Sequence, residues 1–222
     1  MQGASSEMLR RGGGRERSSI LIRVRVLYQV FKALKAPLQG QRLAESPVVR
    51  TRSNRQMAST ESLFVVRDEI EVQAPIERCF ALSTPLAIVE MTLAMRPVAG
   101  RTSGAVLGGD TVRWRGWKWG LPHLHESLIE AFKPPVFFRD RMIAGRFAAF
   151  EHDHAFANQQ NGAVLLRDEV RFRMKWGAAG MVVAHGVVLP HIRKLLRERF
   201  ALIKRLAEGE DWRRYVEPEA AA

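Results

Sequence analysis

Hydrophobic and polar positions begin to alternate just after residue 62, in a way the preceding segment never shows. Leu63, Val65 and Val66 lead into Asp68, Ile70 and Val72, an approximate period of two that predicts a half-buried strand. Gln73-Ala74-Pro75 stops it, and Pro75 suits the first turn of a short helix over residues 76–82. A second short helix is expected over 84–94, with Thr84 as its cap and Pro85 at its first position. Beyond Pro97 the period of two returns in five or six segments. They are punctuated by Gly108-Gly109, Gly120-Leu121-Pro122, Lys133-Pro134-Pro135, Ala144-Gly145 and Asn161-Gly162. Over 181–207 the spacing turns helical, with Val182, His185, Leu189, Ile192, Leu196, Ile203 and Leu206 on one stripe. Pro190 is expected to kink or divide that helix.

A strand, two short helices, an antiparallel meander and a long C-terminal helix form an α+β order in which a curved sheet wraps around the last helix. Such a wrapped sheet leaves an internal cavity, lined by apolar side chains with a few polar groups, which is a natural small-molecule site.

The chain is long enough for one domain with an appendage, at 222 residues and 46% hydrophobic. Its net charge of +12 is concentrated at one end: residues 1–60 hold twelve of the 35 Lys and Arg but three of the 23 acids, a net of +9, leaving +3 for the rest. No nucleic-acid partner is therefore expected for the domain, and such binding would have to reside in the N-terminal segment. In that segment Ile20, Val24, Leu27, Phe31 and Leu34 fall at helical spacing among arginines and lysines, a pattern suited to weak contact with an anionic membrane surface through residues 20–35. The plainer reading is a basic, disordered extension over 1–56, with the domain proper over 57–212 and a tail over 213–222. No run reaches the ~18 apolar residues of a membrane span. The single cysteine, Cys79, calls for no oxidising compartment, so a cytoplasmic setting fits.

Several stretches resemble the SRPBCC superfamily, which includes steroid-transfer domains, the birch-pollen allergen family and polyketide aromatase/cyclases. They are the Gly109-Asp110 pair before a Trp-rich strand, IEAFKPPVFFRDRM at 129–142, GRFAAFEHDHAF at 145–156, Asp168, and LLRER at 195–199. The resemblance spans about residues 63–212 and is to the bacterial-type ligand-binding subgroup. It implies a helix-grip fold and a soluble ligand-binding domain; it implies no metal for most members. The Lys175-Trp176-Gly177 junction and Pro190 depart from the usual pattern before and within the last helix.

His152 and His154 share a strand face with Phe150 and Phe156. In the next strand Leu166, Asp168, Val170 and Phe172 form the apolar face, and Arg167, Glu169, Arg171 and Arg173 the wet one. Folding the two strands about the 158–162 loop sets Asp168 beside His152. A carboxylate on an apolar face needs a partner. The pair is then either a polar anchor or acid/base couple in the cavity, with His152 and Asp168 as catalytic candidates, or a structural pair that orders the sheet. A second group is Trp114, Trp117, Trp119, His123 and His125: if Gly120-Leu121-Pro122 is a tight connection, Trp117 and Trp119 sit opposite His125 and His123 on one face, with Gly116 marking a bulge that re-aims the strand. The group then either lines the cavity, where it suits a flat apolar ligand with an occasional oxygen, or is ordinary core and sheet packing. The two His-x-His pairs with Asp140 and Asp168 are metal-ligand types in a weak spacing; neither a metal nor a cofactor is expected.

Three functions follow from these features. The first is a carrier or sensor for a lipid-, isoprenoid- or polyketide-like molecule. The second is a cyclase or dehydratase using the same cavity. The third is association with membranes or nucleic acid through the basic segment.

Overall fold

The structure of the protein, a computed structural model, describes residues 62–118 and 121–216. The basic extension with its 20–35 stretch, and Trp119, lie outside the described residues.

Strand β1 (Leu63–Val72) is followed by helices α1 (Ile76–Ser83) and α2 (Leu86–Leu93), then by β2 (Met95–Gly100), β3 (Thr111–Lys118), β4 (Leu121–Lys133), β5 (Phe137–Ala144), β6 (Ala149–Asn158) and β7 (Val164–Arg173). The strands form one curved antiparallel sheet in the order β1-β7-β6-β5-β4-β3-β2, so the first strand closes against the last and the rest is a meander. Helix α3 (Gly177–Val183) runs through a π-helical turn, Ala184–Val188, into α4 (Leu189–Glu208), and a short α5 (Arg213–Val216) ends the described chain. The interruption expected at Pro190 takes the form of this wide turn. Pro190, which has no N–H to give, stands in the first turn of α4 directly after it.

Strand alternation decides what faces the helix. In β7, Val164, Leu166, Asp168, Val170 and Phe172 are buried, while Arg167 and Arg173 are exposed. On the wet face Arg67, Glu169, Arg171, Asp153 and Arg139 form a chain of ion pairs across β1, β7, β6 and β5. On the inner face, Phe64 stacks on Phe172 at 5.1 Å beneath Leu189, Ile192 and Leu196. A second cluster joins α1 to the C-terminal half of α4 through Phe80, Phe200 and Ile203. Tyr215 and Val216 pack against it, so the packed chain continues past residue 212. Cys79 belongs here too, fully buried in the packing, its thiol pushed up to about 11 by desolvation.

Two local expectations need correction. Thr84 does not cap α2: its hydroxyl donates back to the Ala81 carbonyl at 3.1 Å, and Pro85 itself occupies the cap position. Gly116 marks no bulge either, since β3 pairs with β4 without interruption; the irregularity lies in β2, between Pro97 and Ala99. What Gly116 permits is close approach, because a Cβ there would meet Met95 Cγ at 2.7 Å and the Ala94 carbonyl at 3.0 Å.

Candidate functional site

A buried polar row crosses the inner face at mid-sheet. The β5–β6 register sets Asp140 opposite His152 and Phe138 opposite His154; the β6–β7 register sets His154 opposite Asp168. Asp168, 2% exposed, is the most heavily partnered member. It accepts a hydrogen bond from His154 Nδ1 at 2.8 Å on one oxygen and from the Arg199 guanidinium of α4 at 2.8 Å on the other. Arg199 also donates to the Ser83 carbonyl at the end of α1, at 3.3 Å, so this one side chain ties α4 to both the sheet and α1. Burial alone would push the Asp168 carboxyl up, but the Arg199 charge, followed by His154 and His152, holds it well below the usual carboxylate range. Burial pushes His154 down to about 3, against the pull of Asp168, and the ring stays neutral.

His152 completes this row less neatly. Its Nε2 lies 3.2 Å from Asp168 Oδ2, yet the ring is not aligned for a hydrogen bond, and the atom is buried without a partner. The same is true of Asp140 Oδ1 on the neighbouring strand. Burial pushes the Asp140 carboxyl up, only partly offset by His125, His152 and a hydrogen bond from Ser127. Ring atoms of His152 and His154 with an Asp168 oxygen lie within 4.8 Å of one another, a spacing a metal ion could use. The cation in contact with that carboxylate is instead the Arg199 guanidinium, whose charge opposes a second one there.

Asp140 and His152 both line a cavity of about 100 Å³ between the sheet and α2. Its walls are apolar over most of their extent: Leu86 and Val89 from α2, Val112 and Trp114 from β3, Ile129 from β4 and Phe138 from β5. Ser127, His154 and Arg199 join Asp140 and His152 among its polar lining groups.

No protein-family profile matches the sequence, and no curated protein matches it by sequence. Solved structures do match. A Staphylococcus aureus protein of unknown function superposes with a TM-score of 0.53 at 9% identity, over 68% of this chain and 99% of its own. Norcoclaurine synthase from Thalictrum flavum, solved in complex with dopamine and hydroxybenzaldehyde, superposes with a TM-score of 0.53 at 10% identity, over 73% of this chain and 96% of its own. The fold is the helix-grip fold. At these identities the likeness concerns the fold and not the chemistry.

Within the helix-grip domain the expected site residues separate into groups. His152, His154, Asp168 and Trp114 meet at the row and its cavity. Asp168 lies directly across from His154, with His152 reaching it along the diagonal, because the β6–β7 hairpin closes with Asn158 opposite Val164. Trp117 is not a cavity residue: it pairs with Pro122 while Trp114 pairs with His125, and unbroken alternation turns it outward, 69% exposed, in an open groove with Arg96 and Arg115. Phe172 and Phe150 pack under α4 in the other cluster and do not line this cavity. His125 lies beside Asp140 and edge-on to Phe150 at 5.6 Å, and His123 is pushed down to about 4 by burial. Neither is a lining residue of the cavity.

Sequence reasoning missed Arg199 and Ser127 and considered Asp140 only as a metal ligand. A signal existed for two of them. Arg199 interrupts the apolar stripe Ile192, Leu196, Phe200, Ile203, and Asp140 interrupts the inner-face alternation Phe138, Asp140, Met142. Ser127 carried no such mark.

Proposed function

We propose that the domain binds a small, predominantly apolar molecule in the cavity under α2, with the molecule's polar end directed at Asp140 and His152. The observation that carries this reading is the coincidence of an apolar cavity with two buried polar atoms that make no aligned hydrogen bond: Asp140 Oδ1, and His152 Nε2, which has only the Asp168 carboxylate nearby at 3.2 Å. At the packing density of protein interiors, a cavity of about 100 Å³ holds roughly four to six non-hydrogen atoms. A whole lipid or polyketide needs several times that volume, so it would enter only by one end or by displacing α2. Norcoclaurine synthase, which shares the fold, was solved with two small aromatic molecules, an analogy at the level of fold that favours binding of this general kind.

Methyl NMR with cyclopentane as the probe tests the reading. Shifts confined to Leu86, Val89, Leu93, Val106, Val112 and Ile129, with Val170 and Val188 unmoved, are expected. No saturable shift would overturn it. A second reading, acid/base turnover of a cyclase or dehydratase kind, draws on the same two atoms. It predicts that Asp140→Asn lowers turnover by about 100-fold, where a carrier loses none. Membrane or nucleic-acid association through residues 1–56 is tested separately, by asking whether salt-dependent binding to anionic vesicles or DNA disappears when that segment is removed.

A further inference from the structure

The charge balance around the cavity narrows what can occupy it. The polar groups around Asp140 and along its cavity come from three elements: His125 and Ser127 on β4, His152 and His154 on β6, and Arg199 on α4. Arg199 is committed to Asp168 and to the Ser83 carbonyl, and the two opposite charges cancel. His154 gives its Nδ1 to the same carboxylate. His125 is pushed by burial toward its neutral form. Of the groups that remain, His125 and His152 offset the burial of Asp140 only in part, and its Oδ1 touches neither solvent nor a donor. A buried carboxylate oxygen in that setting is disfavoured as an anion. As a carboxylic acid it holds an O–H with nothing to donate to, and burial pushes its proton affinity in that direction.

Resting on the cavity-binding reading, we infer that Asp140 is a hydrogen-bond donor that selects a neutral ligand bearing an oxygen acceptor, a small ketone, aldehyde or alcohol, held between Asp140 Oδ1 and His152 Nε2. Each alternative leaves a group unmet. A pure hydrocarbon fills the volume and leaves both polar atoms unpaired. A carboxylate brings a charge that Arg199, already matched, cannot neutralise. An ammonium group requires Asp140 to ionise beside a compensated ion pair. The neutral oxygen satisfies Asp140 in every case. Its second contact depends on the ligand: a carbonyl takes a second donor from the Nε2–H tautomer of His152, whereas an alcohol gives its own proton to a bare Nε2.

Titration calorimetry on the full chain with five compounds of one shape tests this: cyclopentane, cyclopentanone, cyclopentanol, cyclopentylamine and cyclopentane carboxylate. Cyclopentanone or cyclopentanol should bind about tenfold more tightly than cyclopentane, the worth of one buried hydrogen bond. Whichever of the two is tighter reports the state of His152. Asp140→Val, similar in shape and without a donor, should reduce that preference to near unity while cyclopentane still binds. Asp140→Asn keeps an N–H donor and should retain the preference within about threefold. As pH rises through the raised value of the Asp140 carboxyl, the wild-type preference should fall, whereas that of Asp140→Asn stays level. Equal affinity for cyclopentane and the oxygen ligands, tighter binding of the amine or carboxylate, or an oxygen preference that survives Asp140→Val would overturn the assignment while leaving the cavity reading intact. Failure of every compound, cyclopentane included, would remove both.

Discussion

Replacing Arg199 by methionine removes a charge that three parts of the fold share. The guanidinium, 10% exposed, lies 2.8 Å from an Asp168 carboxylate that is itself 2% exposed. Methionine keeps the aliphatic stem but leaves the carboxylate with the neutral His154 ring as its one aligned donor. Breaking a buried ion pair from one side costs about 3–5 kcal/mol, because the remaining charge stays desolvated. The Ser83 carbonyl also loses a donor, which adds a smaller cost. For a domain of this size such a loss lowers the melting temperature by roughly 10 °C. Urea unfolding of wild type, Arg199→Met, Asp168→Asn and the double variant measures it as a cycle. The neutral amide introduced by Asp168→Asn can still accept from His154, so the Arg199→Met cost should shrink by about 2 kcal/mol or more in that background. Arg197→Met, two residues away and in contact only with the Arg193 carbonyl, should move stability by no more than about 0.5 kcal/mol. An Arg199→Met variant within about 1 kcal/mol of wild type, or a cycle with no coupling, would refute the picture of α4 held to the sheet by a desolvated pair.

Three further expectations follow from the same geometry. Because Asp140 binds its proton more tightly folded than unfolded, its contribution is favourable below the ordinary value of 3.8 and is lost as pH rises through the raised value. Asp140→Asn should therefore gain stability over wild type as pH rises, and urea midpoints that show a constant or shrinking difference would contradict this. His154 behaves oppositely: held neutral to about 3 against an ordinary 6.5, it makes the unfolded chain the better proton binder between those values, so stability falls by a few kcal/mol as pH drops through that window. His154→Gln should flatten that acid slope in chemical unfolding, and an unchanged slope would count against a neutral buried ring. Trp114→Ala, which opens the cavity wall, should lose about 3–5 kcal/mol, whereas Trp117→Ala, on the solvent side of the same strand, should change stability by about 0.5 kcal/mol or less.

Much of the fold was legible because period-two alternation and turn residues mark strands directly, and helical spacing marks α4. The register was not. The expected pairing of Asp168 with His152 differs by one pair from the observed His154, since a loop at 158–162 begins one residue too early; the chain turns over 159–163, closed by Gln159 N–H to the Ala163 carbonyl at 2.8 Å. Trp117 was misplaced for a related reason. A glycine inside a strand suggests a bulge, but Gly116 makes room for Met95 instead, and the strand keeps its parity. Arg199 and Ser127 enter the site only through packing of α4 and β4 on distant strands, which local pattern does not encode. Asp140 broke an apolar alternation, and the unmet Oδ1 becomes visible only with Ser127, His125 and His152 in place around it.

A crystal structure of the full chain soaked with cyclopentanone tests the central claim most directly, that the space under α2 is a binding site. The account predicts density for the ketone enclosed by Leu86, Val112, Trp114, Ile129 and Phe138, with its oxygen within hydrogen-bonding distance of Asp140 Oδ1. A cavity filled by repacked side chains, with the ketone absent or bound only at the protein surface, would contradict it.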